Sequence, residues 1–254
     1  MADWNPALYS RFEAQRTRPA RDLLEHVTLE APRRILDLGC GPGNSTELLV
    51  ARYPNATVIG LDTSEAMIAT ATKRVPGARF MLADVSTYED SDVDLIYANA
   101  TLQWVKDHEH LIPRLVRMLS ATGQLAVQVP DNLTEPTHAV LPALCAQFGI
   151  DPDLRAGRLL TPERYYDLMA PFGDVDIWTT IYRHPMPDPK AIVEWVRSTG
   201  LRPVLDALPA NRVPDFLTAY EHQIDHAYPQ RSDGTRLLAY PRLFFTLART
   251  SARA

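Results

Sequence analysis

The chain has 254 residues, with 26 Lys+Arg against 31 Asp+Glu, a net charge of −5 and 46% apolar residues. That length suits one large domain or a domain with an elaborated cap, and the acidic balance excludes a basic nucleic-acid footprint over the whole chain. No apolar run approaches the roughly 18 residues that span a bilayer, no apolar leader follows Met1-Ala2-Asp3-Trp4, and Cys40 and Cys145 are too few for a disulfide framework or a cysteine-based zinc site. A soluble, cytoplasmic, globular protein is the expectation, with no membrane, nucleic-acid or obligate protein partner.

In chain order, short apolar runs at 34–38, 57–61, 79–82, 94–98 and 124–129 predict buried strands, each bounded by turn residues. Between them, 46–53, 64–74 and 107–120 carry apolar residues at helical spacing, with Leu111, Leu115, Met118 and Leu119 on one face of the last. Pro113 is expected near the first turn of that helix or at a kink in it. Strand alternating with helix implies right-handed crossovers, hence an α/β Rossmann-like, mostly parallel sheet with helices on both faces. The second half breaks this rhythm. Thr161-Pro162-Glu163 and Asp188-Pro189 look like helix starts, with a capping residue before a proline. Val213, Phe216, Leu217, Tyr220 and Ile224 mark a further amphipathic helix. Two more strands are expected at 176–183 and 237–248, bringing the sheet to seven. The expected organisation is a helical lid over 1–30, a core over 31–183 and 235–254, and a helical cap over 184–234 between the last two strands.

The most informative stretch is Ile35-Leu36-Asp37-Leu38-Gly39-Cys40-Gly41-Pro42-Gly43-Asn44, a strand running into a loop with glycine at alternate positions. A dinucleotide loop needs G-x-G-x-x-G, and its third glycine would stand where Asn44 stands. Pro42 also removes an amide donor, and Asp37 at the strand end would repel a diphosphate. It suits a ligand that presents a positive charge. Asp62 ends the second strand and can accept hydrogen bonds from both ribose hydroxyls. Asp84, after the third, can take one from an adenine amino group. A carboxylate at a strand end also serves as a helix cap or turn residue, and three in succession behind such a loop favour the binding reading.

These residues together resemble the class I S-adenosylmethionine-dependent methyltransferases. The resemblance implies that Asp37 faces the cofactor ammonium, directly or through water, and that the backbone of Gly39, Cys40 and Gly41 lines its methionine part. It implies Asp62 on ribose, Met67 packed on adenine, Asp84 and the Val85 amide at the adenine edge, and Asn99 near the methionine portion. Thr63 and Trp104 complete the expected cofactor set. Trp4-Asn5-Pro6-Ala7-Leu8-Tyr9, the segment from Arg16 to Leu24, Asn99-Ala100-Thr101-Leu102-Gln103-Trp104-Val105 and the segment from Trp195 to Pro203 are similar to the trans-aconitate 2-methyltransferase family. Malonyl-carrier methyltransferases, which also methylate a carboxylate, share a loop like Leu102-Gln103-Trp104 and are expected to differ in the cap. They supply the alternative, together with methylation of another small molecule. A nucleic-acid methyltransferase is disfavoured by Asn99-Ala100-Thr101-Leu102, where amino-methylating relatives carry Asn-Pro-Pro-aromatic.

The residue types agree with that chemistry. A carboxylate, with a reference pKa near 4, is already ionised at neutral pH and needs no general base. No catalytic acid, base or nucleophile is therefore expected, only positioning groups, for which Trp104 and Tyr9 are the candidates. The remaining charges of a polycarboxylate call for arginine forks, and Arg18, Arg183, Arg197 and Arg202 are the candidates. Tyr9, Trp104, Tyr165, Tyr182 and Tyr240 are expected to wall the site. No metal is expected, since the histidines, His108 and His110 included, show no ligand spacing.

Overall fold

Strand and helix alternate through the first half of the computed structural model, which describes residues 13–151, 159–197 and 200–250. Helix α1 (Glu13–Glu25) precedes β1 (Arg34–Leu38), α2 (Asn44–Arg52), β2 (Thr57–Asp62), α3 (Glu65–Arg74), β3 (Arg79–Leu82), β4 (Val93–Asn99), α4 (His108–Met118) and β5 (Leu119–Pro130). Then come α5 (Pro136–Ala139), α6 (Leu141–Gln147), α7 (Pro162–Met169), β6 (Gly173–Met186), α8 (Pro189–Arg197), α9 (Arg202–Ala207), α10 (Val213–Ala227) and β7 (Arg236–Arg249). The strands form one seven-stranded sheet in the order β3-β2-β1-β4-β5-β7-β6.

β1 runs parallel to β2 and β4, β2 to β3, and β4 to β5. These five strands therefore end at the same edge of the sheet. Chain order reverses between β1 and β4, the place where an open α/β sheet leaves a crevice for a ligand. β7 runs the other way. Its end meets the start of β6, where a Cβ on Gly173 would lie 2.0 Å from the Ala248 carbonyl oxygen. Further along, Trp178 stacks on Phe244 at 5.0 Å. Arg249 at the end of β7 donates to the Leu119 carbonyl at the start of β5.

Local chemistry explains several boundaries. The Ser64 hydroxyl caps α3 by accepting from the Met67 amide at 3.2 Å, and Thr161 caps α7 by accepting from Arg164 at 3.3 Å. Asp188 does the same for α8, accepting from the Ala191 amide at 2.7 Å. Pro113 lies inside α4, beyond its first turn, and the buried Leu111, Ile112, Leu115, Val116 and Met118 hold the helix against the missing bond. That helix stops at Met118 rather than reaching Ser120. Leu119 is already extended and pairs with Val93, so β5 begins five residues earlier than its apolar run suggests.

The chain divides into two compact units. The described residues of the first are 13–129, 159–179 and 243–250, and its core joins Leu36, Leu38, Ile96, Leu115, Val127, Tyr165 and Phe245. The second comprises 130–151, 180–197 and 200–242. There α10 packs against α8, α5 and α6, with Trp195, Phe216, Tyr220 and Ile224 buried, and Phe216 meets Phe148 edge-on at 5.2 Å.

Candidate functional site

The loop after β1 takes three left-handed turns, at Gly39 (φ 63°), Gly41 (φ 54°) and Gly43 (φ 94°). Gly39 is further constrained by space, because a Cβ there would lie 2.3 Å from the Thr101 methyl and hydroxyl. The loops after β1 and β4 thus abut, and the Thr101 hydroxyl reaches the Gly39 carbonyl at 3.2 Å and that of Asn99 at 3.3 Å. Ala100, itself left-handed at φ 55°, is held by the Gln128 carbonyl at 2.9 Å and by Gln103, which donates to the Ala100 carbonyl at 2.6 Å.

Asp37 is fully buried. One carboxylate oxygen accepts from the Ser45 hydroxyl at 2.8 Å and the Thr46 hydroxyl at 2.6 Å. Burial pushes its carboxyl up to about 7, against the pull of those two hydroxyls, and the Asp62 charge adds to the rise. Burial, with the same two carboxylates beside it, also pushes the Cys40 thiol far above neutral, so it is no nucleophile at ordinary pH. Asp62 combines two roles. Its oxygens accept from the Gly41 amide and the Ser64 amide, both at 2.9 Å, tying the glycine loop to the start of α3.

One feature of this region bears on its ligand chemistry. The second oxygen of Asp37 and the side-chain oxygens of Asn44, Asn99 and Gln103 are buried and accept no hydrogen bond among the described residues. Buried acceptors without donors are costly, so this region fits a ligand bringing donors and positive charge.

The other predicted residues distribute as follows. Met67 and Val85 are buried, Trp104 is half-buried at the end of a short 3₁₀ turn (Leu102–Trp104), and Thr63 is exposed. Asp84 is exposed, two residues beyond β3, and one of its oxygens accepts from the Ser86 amide at 2.8 Å, so it also shapes the turn. Arg18 is exposed on α1, 3.9 Å from Asp22. In the second unit, Tyr182 and Tyr240 are buried around His184, whose ring lies 6.3 Å and 6.4 Å from theirs, while Arg183 points to the opposite, exposed face of β6. Arg197 is exposed, and Arg202 is half-buried 3.7 Å from Asp206. Tyr165 lies in the core of the first unit. Tyr9 lies outside the described residues. No cluster of metal ligands exists among the described residues, and no helix among them is long and apolar enough to cross a membrane.

Among the buried polar residues that the sequence did not single out are Arg16, His184 and Arg242, the last with its guanidinium 4.9 Å from the Tyr240 ring. Periodicity offered a signal for all three, with His184 alternating in phase with the buried Tyr182 and Met186 on β6. Arg16 falls on the stripe of Ala20, Leu23 and Leu24, and Arg242 alternates in phase with Tyr240 and Phe244.

A model of the methyltransferase domain family matches residues 36–127. The trans-aconitate 2-methyltransferase of Methylobacterium radiotolerans is 56% identical, over 99% of this chain and 100% of its own. That of Variovorax paradoxus is also 56% identical, over 96% and 97%. Among solved structures, the Haemonchus contortus phosphoethanolamine N-methyltransferase 2 complex with S-adenosylhomocysteine superposes with a TM-score of 0.56 at 16% identity, over 92% of this chain and 52% of that one. The last likeness is one of fold.

Proposed function

The chain belongs to the trans-aconitate 2-methyltransferase family, and from that premise we propose that its own residues hold S-adenosylmethionine at the β1–β4 crevice and align one carboxylate of trans-aconitate, or a similar polycarboxylic acid, with it. It is an S-adenosylmethionine-dependent methyltransferase. The observation that carries the site assignment is the set of buried, donor-less oxygens on Asp37, Asn44, Asn99 and Gln103.

The cofactor, when bound, supplies an electrophilic methyl group on a sulfonium. Asp37 would hold the ammonium, its free oxygen taking the donor it lacks. Asp62 would receive the ribose hydroxyls while still holding the Gly41 amide, and Met67, Val85 and Asp84 would frame the adenine. The acceptor carboxylate is already charged, so proton removal is unnecessary. What remains is to keep one of its oxygens in line with the methyl and to keep water away, an alignment worth roughly 7–11 kcal/mol in intramolecular reactions. Trp104 suits that role by its place on the β4 loop. The other carboxylates of the substrate need cationic partners, since burying them unpaired costs several kcal/mol. Arg18, Arg183, Arg197 and Arg202 are assigned as candidates, with Tyr9, Tyr182 and Tyr240 as walls; because Arg183 and Tyr182 face opposite sides of β6, only one of those two can line the site.

Calorimetry and product analysis test this reading. S-adenosylhomocysteine should bind and NAD should not, and a methyl ester should form from free trans-aconitate. Ester formation from a malonyl thioester but not from trans-aconitate would transfer the substrate assignment to a carrier-bound acid.

A further inference from the structure

Helix α4 carries no residue of the proposed cofactor or substrate sets, yet it is wired to both loops that do. At its start, His108 is 2% exposed. Its Nε2 lies 2.8 Å from the Leu102 carbonyl, and its Nδ1 lies 2.5 Å from the Tyr165 hydroxyl. A carbonyl only accepts, so in the neutral ring Nε2 carries the proton and Nδ1 accepts from Tyr165. The Tyr165 oxygen accepts in turn from the Leu160 amide at 3.3 Å, and its ring stacks on Phe245 at 4.6 Å. This buried relay ends on the first residue of the turn that presents Gln103 and Trp104. Six residues further along α4, about 9 Å on a helix axis, the Arg114 guanidinium donates to the carbonyls of both Val85 and Tyr88. Those carbonyls belong to the loop after β3.

Resting on the proposed cofactor assignment, we infer that α4 positions the two loops independently: Arg114 sets the adenine-side loop, and the Tyr165–His108 pair sets the turn carrying Trp104. Both are positioning residues and neither touches a reacting atom. The geometry separates their effects. Asn99 keeps its place without His108, because β4 pairs it with Gln128 and the next amide bonds the Gln128 carbonyl. Losing His108 therefore loosens the turn at Trp104, where alignment of the acceptor matters, while Gln103 stays anchored by its own bond to the Ala100 carbonyl. Losing Arg114 frees the Val85 and Tyr88 carbonyls and disturbs the adenine contacts, leaving the β4 loop tied.

The test is a split between affinity and turnover in the full chain, read by calorimetry with S-adenosylhomocysteine and by initial rates with trans-aconitate. Arg114→Met should weaken S-adenosylhomocysteine by about tenfold or more and leave kcat at saturating cofactor within about threefold. Arg114→Lys, able to serve one carbonyl, should fall between. His108→Ala should show the reverse, with kcat down by about tenfold or more and affinity within about threefold. His108→Gln keeps an amide donor for the Leu102 carbonyl and should restore most of that turnover. Tyr165→Phe keeps the stacked ring and removes only the hydroxyl. It should lower kcat alone, and it decides the matter if His108→Ala does not fold. Affinity and turnover falling in parallel in both sets, or staying put in both, would overturn the inference. A wild-type protein that fails to bind S-adenosylhomocysteine would instead overturn the cofactor assignment, whatever the variants do.

Discussion

At Asp37 two demands conflict: burial favours a neutral acid, and a cationic ligand favours an ionised one. With its carboxyl at about 7 rather than 3.8, the folded state holds a proton that the unfolded chain gives up. Its contribution to stability therefore falls as pH rises from about 4 to 7. An ammonium bound beside it reverses the preference and drives the proton off. S-adenosylhomocysteine affinity should accordingly rise with pH between about 5.5 and 7.5, with protons released on binding, visible as a dependence of the heat on buffer ionisation enthalpy. Asp37→Asn should abolish both the slope and the release. A pH-independent affinity in the wild type would remove Asp37 from the ammonium. Asp62 makes a second prediction at this scale. Asp62→Ala leaves the Gly41 and Ser64 amides without an acceptor as well as the ribose, so cofactor affinity should drop by about 1–3 kcal/mol. Unchanged affinity in calorimetry would reduce Asp62 to its structural role between two backbone amides.

Among the elements, the contact between the loops after β1 and β4 is the tightest point of the site. Gly39→Ala puts a methyl group into the space of Thr101 and forces a left-handed alanine, which alone costs roughly 1–2 kcal/mol. The thermal midpoint should fall and S-adenosylhomocysteine binding should weaken. Adding Thr101→Ser, which removes the clashing methyl and keeps the hydroxyl, should recover part of both losses. If Gly39→Ala melts and binds like wild type, the two loops are not as close as described. The same scale shows where local sequence suffices. The caps of α7 and α8 were legible because Thr161 and Asp188 act within three residues of themselves. The role of α4 was not. His108 and Arg114 look like surface residues on an amphipathic helix until Tyr165, 57 residues away, and the Val85–Tyr88 loop are folded against them.

For the whole molecule, substrate choice should follow charge. A tricarboxylate with one group aligned for methylation keeps two anions, and arginine is the side chain that matches them in pairs of hydrogen bonds. Single Arg→Met changes at Arg18, Arg183, Arg197 and Arg202 should raise the KM for trans-aconitate by about tenfold or more at the true ligands, with S-adenosylhomocysteine affinity nearly constant. All four KM values staying within about threefold of wild type, roughly 0.65 kcal/mol, would sink the polyanion assignment. Attention would then turn to Arg16 and Arg242, the buried arginines of the two units.

The alternation of strands and helices, the glycine loop with its acids and the departures from a phosphate-binding loop are all legible along the chain. Those are properties of periodicity and of near neighbours, and they survive without knowledge of packing. Its resemblance to a methyltransferase family rested on contiguous motifs for the same reason. Folding was needed to show which polar atoms are buried without donors, that Asp62 is already engaged by two amides, that Arg183 and Tyr182 face opposite ways, and that β5 starts at Leu119. Each depends on what a distant segment places beside the residue. Burial and hydrogen-bond satisfaction belong to pairs of residues, and a linear pattern names only one member of each pair.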